Sequence, residues 1–343
     1  MKKLLFPLYW LIVTLILLEI VVRIWGYAEH YIYDPIYEPF PQTADIPFIH
    51  QANLQQARGR GQSLINTDSL GLRSLESGTV YGPKQVNEIR IVILGDSVTF
   101  GEGVRETADT YPHLVETSLQ AQFPNQQIRV FNFGVSAYSV RTMVATLQHR
   151  ALALQPDFVI MAVAPQDFDL HRTGEVDRWG YNVREVDNSR FPLLSRLKRS
   201  LRAIRLTYAI RDLTLRWRSH NIPTPPHWQL PDTYSYLPQF QAIASEHNIP
   251  SLLLLLPTHS SQSFQALPDQ LAHDNLPMLN LLDLGSDLPA EQFQASPFDG
   301  HPSAQVHQLI AVEVVAYWET AVFPSTTFLP PHLFTPQNFR RER

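Results

Sequence analysis

The sequence predicts an α/β domain, a parallel sheet covered by helices on both faces, preceded by an apolar N-terminal helix. Three observations predict it. Strand-like runs recur at residues 89–94, 127–133, 158–163, 251–256 and 278–284, each short enough for one strand. Segments with helical patterning separate them at 110–123, 139–154, 236–247 and 302–318. The strands at 158–163 and 251–256 are apolar nearly throughout rather than alternating, so both sheet faces are covered, as crossover helices require. The third observation is a run of about nineteen apolar residues at the start, too long for an ordinary strand.

That run spans residues 4–22, follows Lys2 and Lys3, and is broken by Pro7, Thr14 and Glu19. At 1.5 Å of rise per residue it covers roughly 28 Å, enough to cross a hydrocarbon core. The lysine pair favours a cytoplasmic N-terminus, and Arg23 on the far flank weakens that asymmetry. Glu19 lies four residues before Arg23, the spacing of a helical ion pair. Ile24-Trp25-Gly26-Tyr27 offers no small-x-small cleavage site. The reading is therefore an uncleaved anchor over residues 1–25, with a cleaved signal peptide as the competitor.

Residues 26–88 are rich in Tyr, Pro, Gln and Gly and read as an extended juxtamembrane segment lying along the domain. Within it, Asp68-Ser69-Leu70-Gly71-Leu72-Arg73 reads as a turn whose purpose the sequence does not assign. The main domain covers 89–323, interrupted by a basic insertion at 169–231, and a Pro-rich tail follows over 324–343. In the insertion, Leu197, Leu201, Ile204 and Tyr208 share one helical face, while Leu206, Ile210, Leu213 and Trp217 share a nearly opposite one. The change of phase predicts two short helices or a break near Thr207. The insertion reads as a cap on the sheet edge, with a surface resting on anionic lipid as the alternative.

Composition excludes several classes. A formal net charge of −5 argues against nucleic-acid binding by bulk positive charge, and the absence of cysteine removes disulfides, thiolate metal sites and cysteine nucleophiles. Gly101-Glu102-Gly103 is not a dinucleotide fingerprint, because its third glycine and the following acid are missing. Asp167, Asp169 and His171 alternate like ligands, but too few partners converge to predict a metal. What remains is Gly95-Asp96-Ser97, a tight turn at the carboxyl end of a predicted buried strand, where open α/β sheets place their sites. A serine hydroxyl there needs a base, and Asp299-Gly300-His301-Pro302 supplies a histidine with an acid two residues before it. Asp96 itself reads as structural, accepting backbone hydrogen bonds in the turn.

In order along the chain, GDSVTFGEGV, VFNFGVSAYS, a buried strand leading into Gln166-Asp167, and DGHPS resemble the SGNH (GDSL-type) hydrolase superfamily, in its membrane-anchored bacterial branch. The resemblance implies a flavodoxin-like three-layer α/β/α fold and a carboxylic-ester hydrolase that needs no cofactor and no metal. It implies Ser97 as nucleophile, His301 as base and Asp299 as the acid orienting it. The oxyanion would be held by the backbone N–H groups of Ser97 and Gly134 and by the Gln166 side chain. Two positions depart from the commonest pattern: Phe298 stands where the acid usually lies, and Gln166 where the pattern has Asn. A Ser-His dyad assisted by a backbone carbonyl is the alternative at the first. The implied substrate is an acylated glycan, lipid or small molecule; the N-terminal helix places it outside the cytoplasmic membrane and is itself the membrane contact, and no nucleic acid is expected. An O-acetyltransferase, with a sugar hydroxyl replacing water, and a non-catalytic glycan-binding or assembly module of the same fold are the competing readings.

Overall fold

The computed structural model describes residues 2–27, 32–183, 204–219, 232–257, 266–297 and 299–322. Five strands form the main sheet: β1 (Glu88–Gly95), β2 (Gln127–Gly134), β3 (Phe158–Val163), β4 (Ser251–Leu255) and β5 (Met278–Asn280). Their order is β2-β1-β3-β4-β5, and every neighbouring pair is parallel. The chain winds one way from β1 to β2 and then crosses back to β3. That reversal opens a crevice at the carboxyl ends of β1 and its neighbours.

The described α-helices are α1 (Lys2–Ile24), α2 (Ser97–Phe100), α3 (Tyr111–Gln122), α4 (Val140–Thr146), α5 (Arg205–Ser219), α6 (Tyr236–Glu246), α7 (Ala266–His273) and α8 (Ala304–Tyr317), with one more, as short as α2, at Ala290–Phe293. β1 is buried along its length. Its Ile89, Ile91 and Ile93 pack with Val115 and Leu119 of α3 and Val306, Ile310 and Val314 of α8. Val92 and Leu94 pack on the opposite face, with Met143 of α4, Phe240 of α6 and Leu267 of α7. Alternate residues of one strand thus feed two separate cores, which gives the three-layer α/β/α architecture.

Residues 32–74 are more than an extended run. Tyr37–Pro39 pairs with Phe48–His50, and Leu64–Thr67 pairs with Ala57–Arg58 and Arg73–Ser74, all antiparallel. Ile36, Tyr37, Phe48, Ile65 and Leu72 are buried in the core on the α4 face. Two helix boundaries also differ from expectation. The predicted 139–154 helix is α4 followed by a wider π-type turn at Leu147–Ala151 and a tight turn at Leu152–Leu154. Pro302 does not open α8: it ends a short strand, Asp299–Pro302, and Ser303 caps the helix by accepting from the Val306 N–H.

The stretch Phe6–Ile24 of α1 is long and apolar enough to cross a membrane. Glu19 pairs with Arg23 at 2.7 Å, the predicted i,i+4 contact. Its carboxylate also accepts from the N–H groups of Arg205 and Leu206, at 3.1 and 2.8 Å, and so caps the start of α5. α5 runs unbroken through Thr207. Of the first expected helix, Leu197 and Leu201 lie outside the described residues, whereas Tyr208 belongs to α5; the tail from 323 onward also lies outside them.

Candidate active site

β1 delivers the chain to the crevice at Gly95. Asp96 then caps α2, its Oδ1 accepting from the Val98 N–H at 2.8 Å, and Ser97 becomes the first residue of that helix. Ser97 is 2 % exposed. Its hydroxyl lies 2.9 Å from His301 Nε2, although 204 residues separate the two in sequence. On the other side of the ring, His301 Nδ1 is 2.5 Å from Asp299 Oδ1, which also accepts the His301 backbone N–H at 3.2 Å. An ionised carboxylate only accepts, so Nδ1 carries a proton, and whenever the ring is neutral it presents the Nε2 lone pair to Ser97. The acid two residues before His301 reaches the ring because Asp299–Pro302 is an extended strand, pinned antiparallel to Gln294–Ser296.

Burial alone would lower the His301 pKa, but the hydrogen bond to Asp299 and the nearby charges of Glu102, Asp299 and Asp96 raise it to about 9. Beneath Ser97, Asp96 Oδ2 accepts from Gln166 Nε2 at 3.3 Å and Arg172 Nη2 at 3.1 Å, and lies 3.3 Å from Ser97 Oγ, whose one proton faces either this carboxylate or the closer His301 Nε2. Burial pushes Asp96 upward, yet Arg172 and the Val98 N–H hold it below the usual carboxylate range. Asp167, paired with Arg172 and accepting from the Ala164 N–H, is held well above that range by burial and by the charge of Asp96. Asp96 is thus a structural acid, as its place in the turn suggested. Gln166 is exposed while its amide reaches the acid under Ser97, so it borders the same hydroxyl.

Gly134, expected to offer its N–H to the oxyanion, is the last residue of β2. Its N–H donates to Asn132 Oδ1 at 2.9 Å, and Asn132 Nδ2 donates to Thr99 O at 2.9 Å, so the Asn-x-Gly block ties β2 to α2. Three residues on, the Tyr138 N–H bonds Val135 O, closing a turn in which Ala137 takes φ 66°. A non-glycine residue in that region is uncommon and concentrates at functional sites. The Ala137 N–H has no acceptor among the described residues.

Sequence reasoning missed three further groups. Glu102 is 3 % exposed, and its Oε2 lies 3.3 Å from His301 Nε2. Its Oε1 accepts from Ser136 Oγ and stands 3.9 Å from Arg60 Nε. Arg60 belongs to the N-terminal segment, which also lays Gly61 against Asp299 and Gly103. Arg73, at the end of the turn of unassigned purpose, is buried and donates to the carbonyls of Phe100, Gly101, Val104 and Arg105 and to Thr107 Oγ1. It is the clamp on the loop that follows Ser97.

A model of the GDSL-like lipase/acylhydrolase family matches residues 93–309. Among solved structures, the chain is similar to the lipase/acylhydrolase from Enterococcus faecalis, at 14% identity and TM-score 0.41 over 68% of this chain and 96% of that one. It is similar also to an acetyl xylan esterase variant from Geobacillus stearothermophilus, at 17% identity and TM-score 0.41 over 66% and 93%. A third is a two-domain esterase active on acetylated mannans, at 16% identity and TM-score 0.44 over 68% of this chain and 49% of that one. No curated protein sequence matches the chain.

Proposed function

Because the chain belongs to the GDSL-like lipase/acylhydrolase family of the SGNH superfamily, and is a carboxylic-ester hydrolase, we propose that it cleaves its ester through an acyl-enzyme on Ser97. The observation that carries this reading is the unbroken hydrogen-bonded chain from Asp299 through His301 to Ser97 at the crevice. As the bond from Ser97 Oγ to the acyl carbon forms, the hydroxyl proton passes to His301 Nε2 and the carbonyl π pair moves onto oxygen. The imidazolium then gives that proton to the departing alkoxide as the C–O bond breaks, releasing an alcohol and leaving acyl-Ser97. Water repeats the sequence, yielding the carboxylic acid and free serine.

The developing oxyanion is met by the Ser97 N–H, which as the first of α2 has no intrahelical acceptor. Gln166 offers its second amide proton, the first being given to Asp96. Ala137 takes the backbone role expected of Gly134, whose N–H is engaged by Asn132. The helix α1 anchors the chain with its N-terminus on the cytoplasmic side, and the domain at 89–323, with its insertion at 169–231, works outside the membrane. Acylated envelope polysaccharide or lipid is the substrate class this location favours.

Fluorophosphonate labelling of the full chain in detergent tests the reading. The wild type is expected to label, and Ser97→Ala to lose both label and turnover, on the order of a million-fold in kcat. A folded wild type that takes no label would favour a non-catalytic module instead.

A further inference from the structure

His301 carries a carboxylate at each ring nitrogen. Asp299 Oδ1 faces Nδ1 at 2.5 Å, and Glu102 Oε2 faces Nε2 at 3.3 Å, beside the Ser97 hydroxyl at 2.9 Å from the same nitrogen. An orienting acid needs only the first. Glu102 is fixed there rather than passing through. Its backbone N–H donates to Ser97 O at 2.9 Å, its Oε1 accepts from Ser136 Oγ, and Arg60 stands behind it at 3.9 Å.

This placement discriminates between states of the ring. When His301 is neutral with its proton on Nδ1, Glu102 faces the Nε2 lone pair and the contact is repulsive. When the ring is charged, Nε2–H lies between Ser97 Oγ and Glu102 Oε2, and the contact is an ion pair in a buried setting. The charged ring is also the form present after His301 has taken the serine proton. Resting on the reading of His301 as the base, we propose that Glu102 is a positioning residue that holds the charged imidazole at Nε2, and so sets the pH above which Ser97 can be deprotonated. Arg60, from the N-terminal segment, tempers that charge.

Asp299 is on its own strand, and Asp96 lies at the opposite end of α2 from Glu102. Arg172 neutralises Asp96 and is shared with Asp167. His307 on α8 is buried, and the His301 charge is one of the causes that lower its pKa. Only Asp299 and Glu102 reach the His301 ring nitrogens as carboxylates among the described residues. The raised His301 pKa of about 9 agrees with two such partners.

Two readouts on the full chain in detergent micelles test this. One is the pH dependence of kcat/KM on p-nitrophenyl acetate. The other is the titration of the His301 ring by NMR of histidine-labelled protein, assigned by comparison with His301→Gln. The wild-type acidic limb and ring midpoint are expected well above neutrality. Glu102→Gln is expected to move both down together by about one to two pH units, the shift typical of removing one close opposite charge. At pH 7 that raises the reactive fraction of the enzyme. Glu102→Asp should restore part of the shift, and Arg60→Met should move both midpoints the other way. If Glu102→Gln lowers activity at every pH while both midpoints stay put, Glu102 only supports the fold and the inference is overturned. If the wild type shows no turnover and no label, the esterase reading fails separately, and the ring titration still decides whether Glu102 holds the charged imidazole.

Discussion

Two parts of the chain meet at Ser97. The sheet and its loops bring Ser97, Gln166 and, through the Asp299–Pro302 strand, His301 to one rim, so they supply the groups proposed to touch the substrate. Residues 32–74 supply no nucleophile and no base. They supply Arg73, Gly61 and Arg60, which fix the loop after Ser97, the back of Asp299 and the charge on Glu102. The difference teaches that crossover topology selects the rim but leaves its loops loose. A turn such as residues 100–105 has buried carbonyls pointing away from any ladder, and these need a donor from elsewhere. One guanidinium, with five N–H groups in a rigid fork, answers four of them.

Breaking that clamp is expected to have the largest effect. Arg73→Met keeps the apolar stem and leaves the carbonyls of Phe100, Gly101, Val104 and Arg105 without their buried donor. Unfolding free energy should fall by about 3–4 kcal/mol, read from urea midpoints. Arg73→Lys should recover little of it, because an ammonium cannot span the same set of acceptors. A loss under about 1 kcal/mol for Arg73→Met would mean that the loop holds itself, and that the N-terminal segment is a passenger.

Each part also buries a histidine as the neutral ring, which allows the two to be titrated against each other. His50, in the N-terminal segment, is sandwiched between Phe100 and Tyr37 at ring centroid distances of 4.2 and 5.0 Å. Burial, then the charges of Arg150 and Arg73, lower its pKa to about 3. His307, on α8, accepts the Tyr111 N–H on Nδ1 at 3.0 Å, and burial, then Arg73 and His301, lower it to about 3. In both cases the folded value lies below the unfolded value of about 6.5, so between those limits the unfolded chain binds more protons. Stability must therefore fall as pH drops through 6.5 and continue to fall toward 3, by about 1.4 kcal/mol per pH unit for each ring. His301 runs the opposite way: its contribution is complete below about 6.5 and is lost as pH rises through 9. Urea midpoints between pH 5 and 6.5 check the acid side. His50→Phe and His307→Gln should each remove one proton's share of the slope. Should only His307→Gln do so, the N-terminal segment opens before the sheet does and the two parts are not one cooperative unit.

The same comparison explains what could be read from the sequence. Strands buried on both faces write themselves as apolar runs, so β1 and β3 were legible nearly to the residue. Ser97 and His301 were legible because a strand-end serine and a late histidine answer one chemical need. Gly134 is ambiguous in the sequence because a glycine at a strand end suits a tight turn and a donor equally well. Ala137 carries no compositional mark of its positive φ. Glu102 was visible only as part of a failed fingerprint, since its return to Ser97 depends on the length of α2 and the left-handed Gly101 that ends it. Pro302 suits a helix start in sequence, but Ser303, three residues before Val306, is the better cap. The contacts of Arg60, Gly61 and Arg73 bridge segments with no shared periodicity, so no local pattern announces them.

The finest test of the comparison is Gly61→Ala, read against Gly78→Ala. Both glycines lie in the left-handed region, at φ 66° and 74°, so an alanine at either is strained by about 1 kcal/mol. Their surroundings differ. A Cβ on Gly61 would stand 2.7 Å from Asp299 Oδ2 and 2.7 Å from Gly103 Cα, whereas one on Gly78 would meet only Asn53 Oδ1, at 3.5 Å. Gly103 is backbone and cannot step aside, so the Asp299 carboxylate is the group that turns, and it turns away from His301 Nδ1. Thermal unfolding should show both variants weakened, Gly61→Ala by roughly 1 kcal/mol more. Turnover should separate them further: kcat for Gly61→Ala is expected to fall by about tenfold, as a misoriented base requires, while Gly78→Ala keeps the wild-type kcat. Equal kcat values would place Gly61 outside the working geometry, and the N-terminal segment would then act on stability alone.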